Sequence, residues 1–285
     1  MQHNTGPKQM LLGRLLSRHF GRGTGAGVSW TVLERIASAA FAFLGTLLVS
    51  RYLGPSDFGI LSYVLAVFAI VNIIAQVGLS GLVVRDFSSP DASAQEILST
   101  TLGLRILGSL FACIVLFAFA LFWEGLASPA LPLILSVSVV LALRPTDVFD
   151  FWLQSKAKFV DLAKFRFSAS VVGLAVRVLL ILIGSGLAAF ALPAVAQALV
   201  LACLLLWAFH SRSPNLRARP ILRGGLLWLR QSWLLMLSSL AAIVYLKIDQ
   251  IMLKELVGAD AVGVYAVAAS LSESWYLFPG AVVTA

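Results

Sequence analysis

Residues 28–53, VSWTVLERIASAAFAFLGTLLVSRYL, and residues 59–84, GILSYVLAVFAIVNIIAQVGLSGLVV, are joined by five residues, Gly54-Pro55-Ser56-Asp57-Phe58. Each flank exceeds the roughly 20 apolar residues that carry a helix across ~30 Å of hydrocarbon. The joint is suited to a turn. Gly takes the left-handed conformation that ends one helix, and Ser56 can accept from the free N–H groups that open the next. The pair reads as a helical hairpin through a bilayer. Comparable stretches recur at 98–123, 131–153, 167–186, 187–209, 233–256 and 262–285. The expectation is an all-α chain, a polytopic transmembrane bundle of about eight spans.

Composition points the same way. Of 285 residues, 60% are hydrophobic and 12% charged, with a mean hydropathy of +0.94. Soluble domains carry about 25% charged residues, because water must wet their surface. The net charge of +8 would suit nucleic acid, but it is divided among short segments between spans. One side holds Lys8, Arg14, Arg18 and Arg22; Arg85; Lys156, Lys158, Lys164 and Arg166; and Arg212, Arg217, Arg219, Arg223 and Arg230. The other holds only Arg51 and Lys254. Lys and Arg accumulate on the cytoplasmic side, so the basic face and the N-terminus are expected there. Nucleic acid is not an expected partner; membrane lipids are. Cys113 and Cys203 lie far apart in apolar runs, and the three His sit in or beside basic segments. No metal-ligand spacing exists, and no metal or cofactor is expected.

The turn at 53–60 has a counterpart, Val257-Gly258-Ala259-Asp260-Ala261-Val262-Gly263-Val264. Gly54 matches Gly258, Ser56 matches Asp260 as the cap, and Gly59 matches Gly263. Both turns fall on the extracytoplasmic side, six spans apart, which suggests a parallel duplication of a six-helix unit. The chain then divides into a basic interfacial segment at 1–27, a first six-helix lobe at 28–210, a basic cytoplasmic linker at 211–231, and the start of a second lobe at 232–285. In the first segment Leu11, Leu12, Leu15, Leu16 and Phe20 share a helical face, with Arg14 and Arg18 on another, as in helices lying in a membrane interface. A complete second unit would need roughly 150 further residues, so the second lobe reads as cut short.

Two blocks resemble a known family. Arg51-Tyr52-Leu53-Gly54-Pro55-Ser56-Asp57-Phe58-Gly59 before an apolar span is similar to the first hairpin of O-antigen and polysaccharide flippases. So is Lys247-Ile248-Asp249-Gln250-Ile251-Met252-Leu253, followed by Gly258, Val262-Gly263-Val264-Tyr265 and Ser272-Glu273. These flippases belong to the multidrug/oligosaccharidyl-lipid/polysaccharide exporter superfamily, and the resemblance runs from about Gly27 to the end. It implies two lobes around a central cavity, in a bacterial inner membrane. A lipid-linked oligosaccharide would be turned over to the periplasmic leaflet by alternating access, alongside other glycan-assembly membrane proteins. Two other readings stand beside it. One is a drug or organic-cation antiporter of the same superfamily, which an acid-lined cavity would favour. The other is a membrane-embedded glycan polymerase or ligase. That enzyme reading is disfavoured, because no connecting segment carries clustered carboxylates or His.

Candidate site residues are the ionisable groups within spans, each costing about 2.5–3.5 kcal/mol at a helix centre on insertion scales. Arg144 and Asp147 are three apart and can pair on one helix face. Asp150 lies near the basic end, and Arg105 is expected to snorkel towards it. Arg177 and Lys247 have no acid at helical spacing, so each needs a partner on another helix or a wet cavity. Arg35, Arg177 and Lys247 are read as a cationic surface for a pyrophosphate headgroup. Glu34, Asp249 and Glu273 are read as carboxylates for coupling to H+ or Na+, or for pairing between lobes. Gly45, with other small residues, is expected to let spans one and two approach closely.

Overall fold

The computed structural model describes residues 22–88, 93–125, 127–213, 216–222 and 224–274. The interfacial helix expected before residue 22 and the end of the eighth span lie outside them. The regular structure of the described residues is helical: α1 (Arg22–Gln76), α2 (Ser80–Phe87), α3 (Ala94–Phe119), α4 (Leu131–Leu143), α5 (Asp147–Ser155), α6 (Phe159–Leu182), α7 (Leu192–Arg212), α8 (Gly225–Leu256) and α9 (Ala259–Ser274). A π-helical turn, Ala120–Glu124, extends α3, and the 3-10 turn Arg144–Thr146 joins α4 to α5.

Among the described residues six helical segments are long and apolar enough to cross a membrane, and α1 alone runs for 55 residues. That length is a hairpin. Gly54 breaks the helix at φ 75° and ψ 175°, with Pro55 next. Glu34 and Gln76 line the same cavity, although 42 residues of straight helix would separate them by ~63 Å at 1.5 Å per residue. The two limbs of α1, together with α3, α4–α5, α6, α7 and α8, make seven passes; α9 begins an eighth.

Two boundaries differ from the sequence expectation. Helix α1 starts at Arg22, inside the segment at 1–27 expected to precede the first span, and α8 starts at Gly225, so residues 225–231 are helical rather than connecting. The second span is also not continuous. It stops at Gln76, turns through Val77 and Gly78 at φ 56° and 65°, and restarts at Ser80. The cause is tertiary. A Cβ on Gly78 would lie 2.7 Å from the backbone of Ser232 and Met236, so α8 crosses at the point where span two gives way.

The first limb of α1 and α6 run parallel. Phe41 meets Phe167, Ser38 meets Ser170, Gly45 meets Arg177 and the Tyr52 hydroxyl donates to the Ser185 carbonyl, so both sequences advance together. Gly45 thus makes room for a span-five arginine rather than for span two. Apolar burial forms two clusters. One holds Val71, Ala112, Leu141 and Leu180 towards the Gly54 end. The other holds Val77, Leu104, Val148 and Leu205 towards the basic end. Asn72, Gln76, Arg105, Ser109, Arg144 and Asp147 fall between these positions along their helices. The bundle core is therefore interrupted by a polar belt.

Candidate functional site

The belt opens into a cavity of about 370 Å³. Its charged lining consists of Glu34 from α1, Arg105 from α3, Arg144 and Asp147 at the α4–α5 joint, Asp150 from α5 and Arg166 from α6. Ser38, Gln76, Ser80, Gln154, Ser170 and Gln197 complete the polar wall. A buried charge is tolerated when it is paired and hydrogen-bonded, and these side chains meet that condition across helices. The Arg105 Nη1 donates to Asp147 Oδ2 at 3.2 Å with Arg105 only 1% exposed. Arg144 faces the same carboxylate at 3.7 Å while its Nε donates to Asn72 at 2.7 Å. Arg166 donates to Asp150 at 2.7 Å, and the Gln154 amide donates to the other Asp150 oxygen. The Glu34 carboxylate accepts from Ser38, whose hydroxyl lies 3.0 Å from that of Ser170.

Arg105 is the principal departure from the sequence reading. It does not snorkel; it is enclosed, with its guanidinium carbon 5.0 Å from the centre of the Phe151 ring and its Nε without a hydrogen-bond partner. The pairing of Arg144 with Asp147 is present as spacing suggested. What spacing could not show is that Asp147 serves two arginines, one of them 42 residues away. The break at 77–79 adds a further polar element. α2 begins at Ser80 on the cavity wall, with Leu79 in the cap position and no side-chain cap. A helix N-terminus carries partial positive charge and free N–H groups. The sequence signal for it was Val77-Gly78-Leu79-Ser80-Gly81, two glycines inside an apolar span.

The six residues first singled out do not converge. Glu34 alone lines the cavity. Lys247 is held by Glu273 of the next helix at 2.8 Å, the interhelical partner its spacing required. Asp249 accepts from the Tyr265 hydroxyl and from the backbone N–H of Gln250. These bonds staple α8 to α9 and are distant in sequence from the polar belt. Arg35 is exposed on α1. Arg177 is half-buried beside Gly45, and a Cβ on Gly45 would overlap its guanidinium. No carboxylate pairs with Arg177 among the described residues. It continues the α6 stripe formed by Arg166, Ser170 and Gly173, seven residues or ~10 Å beyond Ser170.

At the other end of the bundle, Lys254 of α8 donates to Glu124 at 2.7 Å and stands 4.5 Å over the Tyr63 ring. Glu124, 6% exposed, is presented by the π-helical turn and also accepts from Ser128 at 2.8 Å. Such turns change the direction of a side chain within an otherwise regular helix. The glycines of the two matching turns, Gly54, Gly59, Gly258 and Gly263, gather at this end. Gly54 and Gly258 adopt positive φ, and Gly59 and Gly263 sit against backbone of the opposite turn.

A family profile described as polysaccharide biosynthesis protein matches residues 24–278. No curated protein and no solved structure matches the chain.

Proposed function

Because this chain belongs to the polysaccharide biosynthesis protein family, we propose that it moves the lipid-linked sugar precursors of such a polysaccharide across the membrane, from the leaflet at its basic end to the opposite leaflet. The observation that carries this reading is the polar cavity in the interior of an apolar helical bundle. Sugar hydroxyls and a phosphate-bearing headgroup resist entering hydrocarbon, because each polar group stripped of water must find a hydrogen-bond partner. Glutamine, serine and arginine side chains supply those partners, and the N-terminus of α2 suits an anion. Arg177 lies one step further along the same face of α6 as a second anchor on the path. Glu34, the cavity carboxylate that accepts from the Ser38 hydroxyl, is the group proposed to couple transport to H+ or Na+.

The antiporter reading is less well supported. The cavity sets Arg105, Arg144 and Arg166 against Glu34, Asp147 and Asp150, a balance that does not select for a cationic cargo. The test is transport of a fluorescent isoprenoid-diphosphate sugar in vesicles carrying the purified chain. Arg166→Gln and Arg177→Gln should each lower the initial rate at least tenfold. Undiminished rates in both would remove the reading.

A further inference from the structure

The two matching turns touch one another in a reciprocal way. A Cβ placed on Gly59 would overlap the carbonyl of Ala259, and one placed on Gly263 would overlap the carbonyl of Pro55. In the repeat, 55 corresponds to 259 and 59 to 263. Each turn therefore offers its glycine to the residue that is equivalent in the other turn. A contact in which i meets j while the equivalents of i and j meet as well is the signature of two-fold symmetry. Here it relates two hairpins of one chain. The neighbouring side chains close the joint: Phe58 and its equivalent Val262 are both buried, at 6% and 0% exposure. The symmetry fails at one place. Lys254 reaches across to Glu124 and Tyr63, whereas its counterpart in the repeat, Ser50, donates to the Leu47 carbonyl of its own helix.

We propose that this glycine-to-carbonyl contact, latched on one side by Lys254 and Glu124, is the closed gate of the transport path at the bundle end opposite the polar cavity. The proposal rests on the transport reading above. Glu34 of the cavity and Gly54 of the joint are 20 residues apart on one helix limb, ~30 Å or one hydrocarbon thickness. The polar cavity and the backbone-to-backbone contact thus lie at different depths of one bundle. Only glycine permits the seal, because its backbone can approach a neighbouring carbonyl without a Cβ between. One added methyl at either glycine acts as a wedge. The ion pair is the releasable component: it can break and reform, while the glycine contact sets how tightly the surfaces meet.

The test uses the full chain with Cys113→Ala and Cys203→Ala, and Val262→Cys as reporter. A membrane-impermeant maleimide is added in separate arms to right-side-out and inverted vesicles. The parent should label slowly from both faces. Gly59→Ala or Gly263→Ala should raise labelling about tenfold from the gate face only, and Lys254→Gln or Glu124→Gln several-fold. Gly81→Ala, where a methyl meets open space, should match the parent. Unchanged labelling in the glycine variants, or an increase from the cavity face, overturns the proposal. If the glycine variants fail to insert, unchanged labelling in both latch variants overturns it instead. Labelling needs no glycan, so this outcome is separate from that of the vesicle transport assay.

Discussion

Arg105 shows what a single side chain contributes in this interior. Burying its guanidinium is tolerable because Asp147 stands 3.2 Å away. Removing one member of a buried pair costs about 3–5 kcal/mol, since it strands the other charge, whereas replacing both by apolar groups can be close to neutral. Asp147→Leu strands the enclosed Arg105 and should lower the midpoint of thermal unfolding in detergent, whereas adding Arg105→Met should recover much of that loss, because Arg144 keeps its bond to Asn72. Gly45 makes the opposite case. Its missing side chain is the space that Arg177 occupies, and the atom nearest a new Cβ is the far end of a flexible side chain. Gly45→Ala should leave unfolding nearly unchanged while reducing transport to the level of Arg177→Gln, because it displaces the guanidinium without removing it. Neither outcome could be read from residue spacing, since both depend on which helices become neighbours.

Within the helices, the irregular turns place polar groups where hydropathy shows only an apolar run. Span two is the clearest instance. Hydropathy runs without interruption through 59–84, yet the helix ends at Gln76 and restarts at Ser80. The left-handed conformation at Gly78 costs a residue with a Cβ roughly 1–2 kcal/mol, and α8 backbone fills the space that Cβ would need. Gly78→Ala should destabilise the protein by more than about 2 kcal/mol, the sum of strain and clash. Gly81→Ala, three residues along in a regular helix with nothing within 4 Å, should be stabilising by about 0.5–1 kcal/mol. Chemical denaturation of the two variants would separate these cases. The π-helical turn at 120–124 is the second irregularity, and no sequence signal marks it. It arises where Glu124 turns towards a lysine 130 residues away.

At the scale of the whole molecule, α9 is packed mainly on α1 rather than on its own hairpin partner α8. The α8–α9 hairpin is therefore seated on α1, and the glycine contact and the Lys254–Glu124 bond both lie at that joint. Exchanging the charges, Lys254→Glu with Glu124→Lys, should restore the slow labelling that either single change relieves. Orientation is open to a direct check. Cysteines in place of Ser128 and Lys158 should react from opposite faces of the membrane, with the Lys158 position on the cytoplasmic side if the basic segments set the topology.

Hydropathy and turn chemistry were enough to establish helices, spans and the matching pair of turns, because the solvent is lipid and each crossing must satisfy its own backbone. The same reasoning identified that ionisable groups in spans need partners, and placed Glu34 among the residues of interest. It could not say which partner each group finds. Arg105 and Asp147, Lys247 and Glu273, Lys254 and Glu124, and Arg177 with Gly45 are encounters between helices, decided by the order in which spans pack around one another. Periodicity along a helix reports which face a residue occupies; only packing between helices turns that face into a cavity, a staple or a seal.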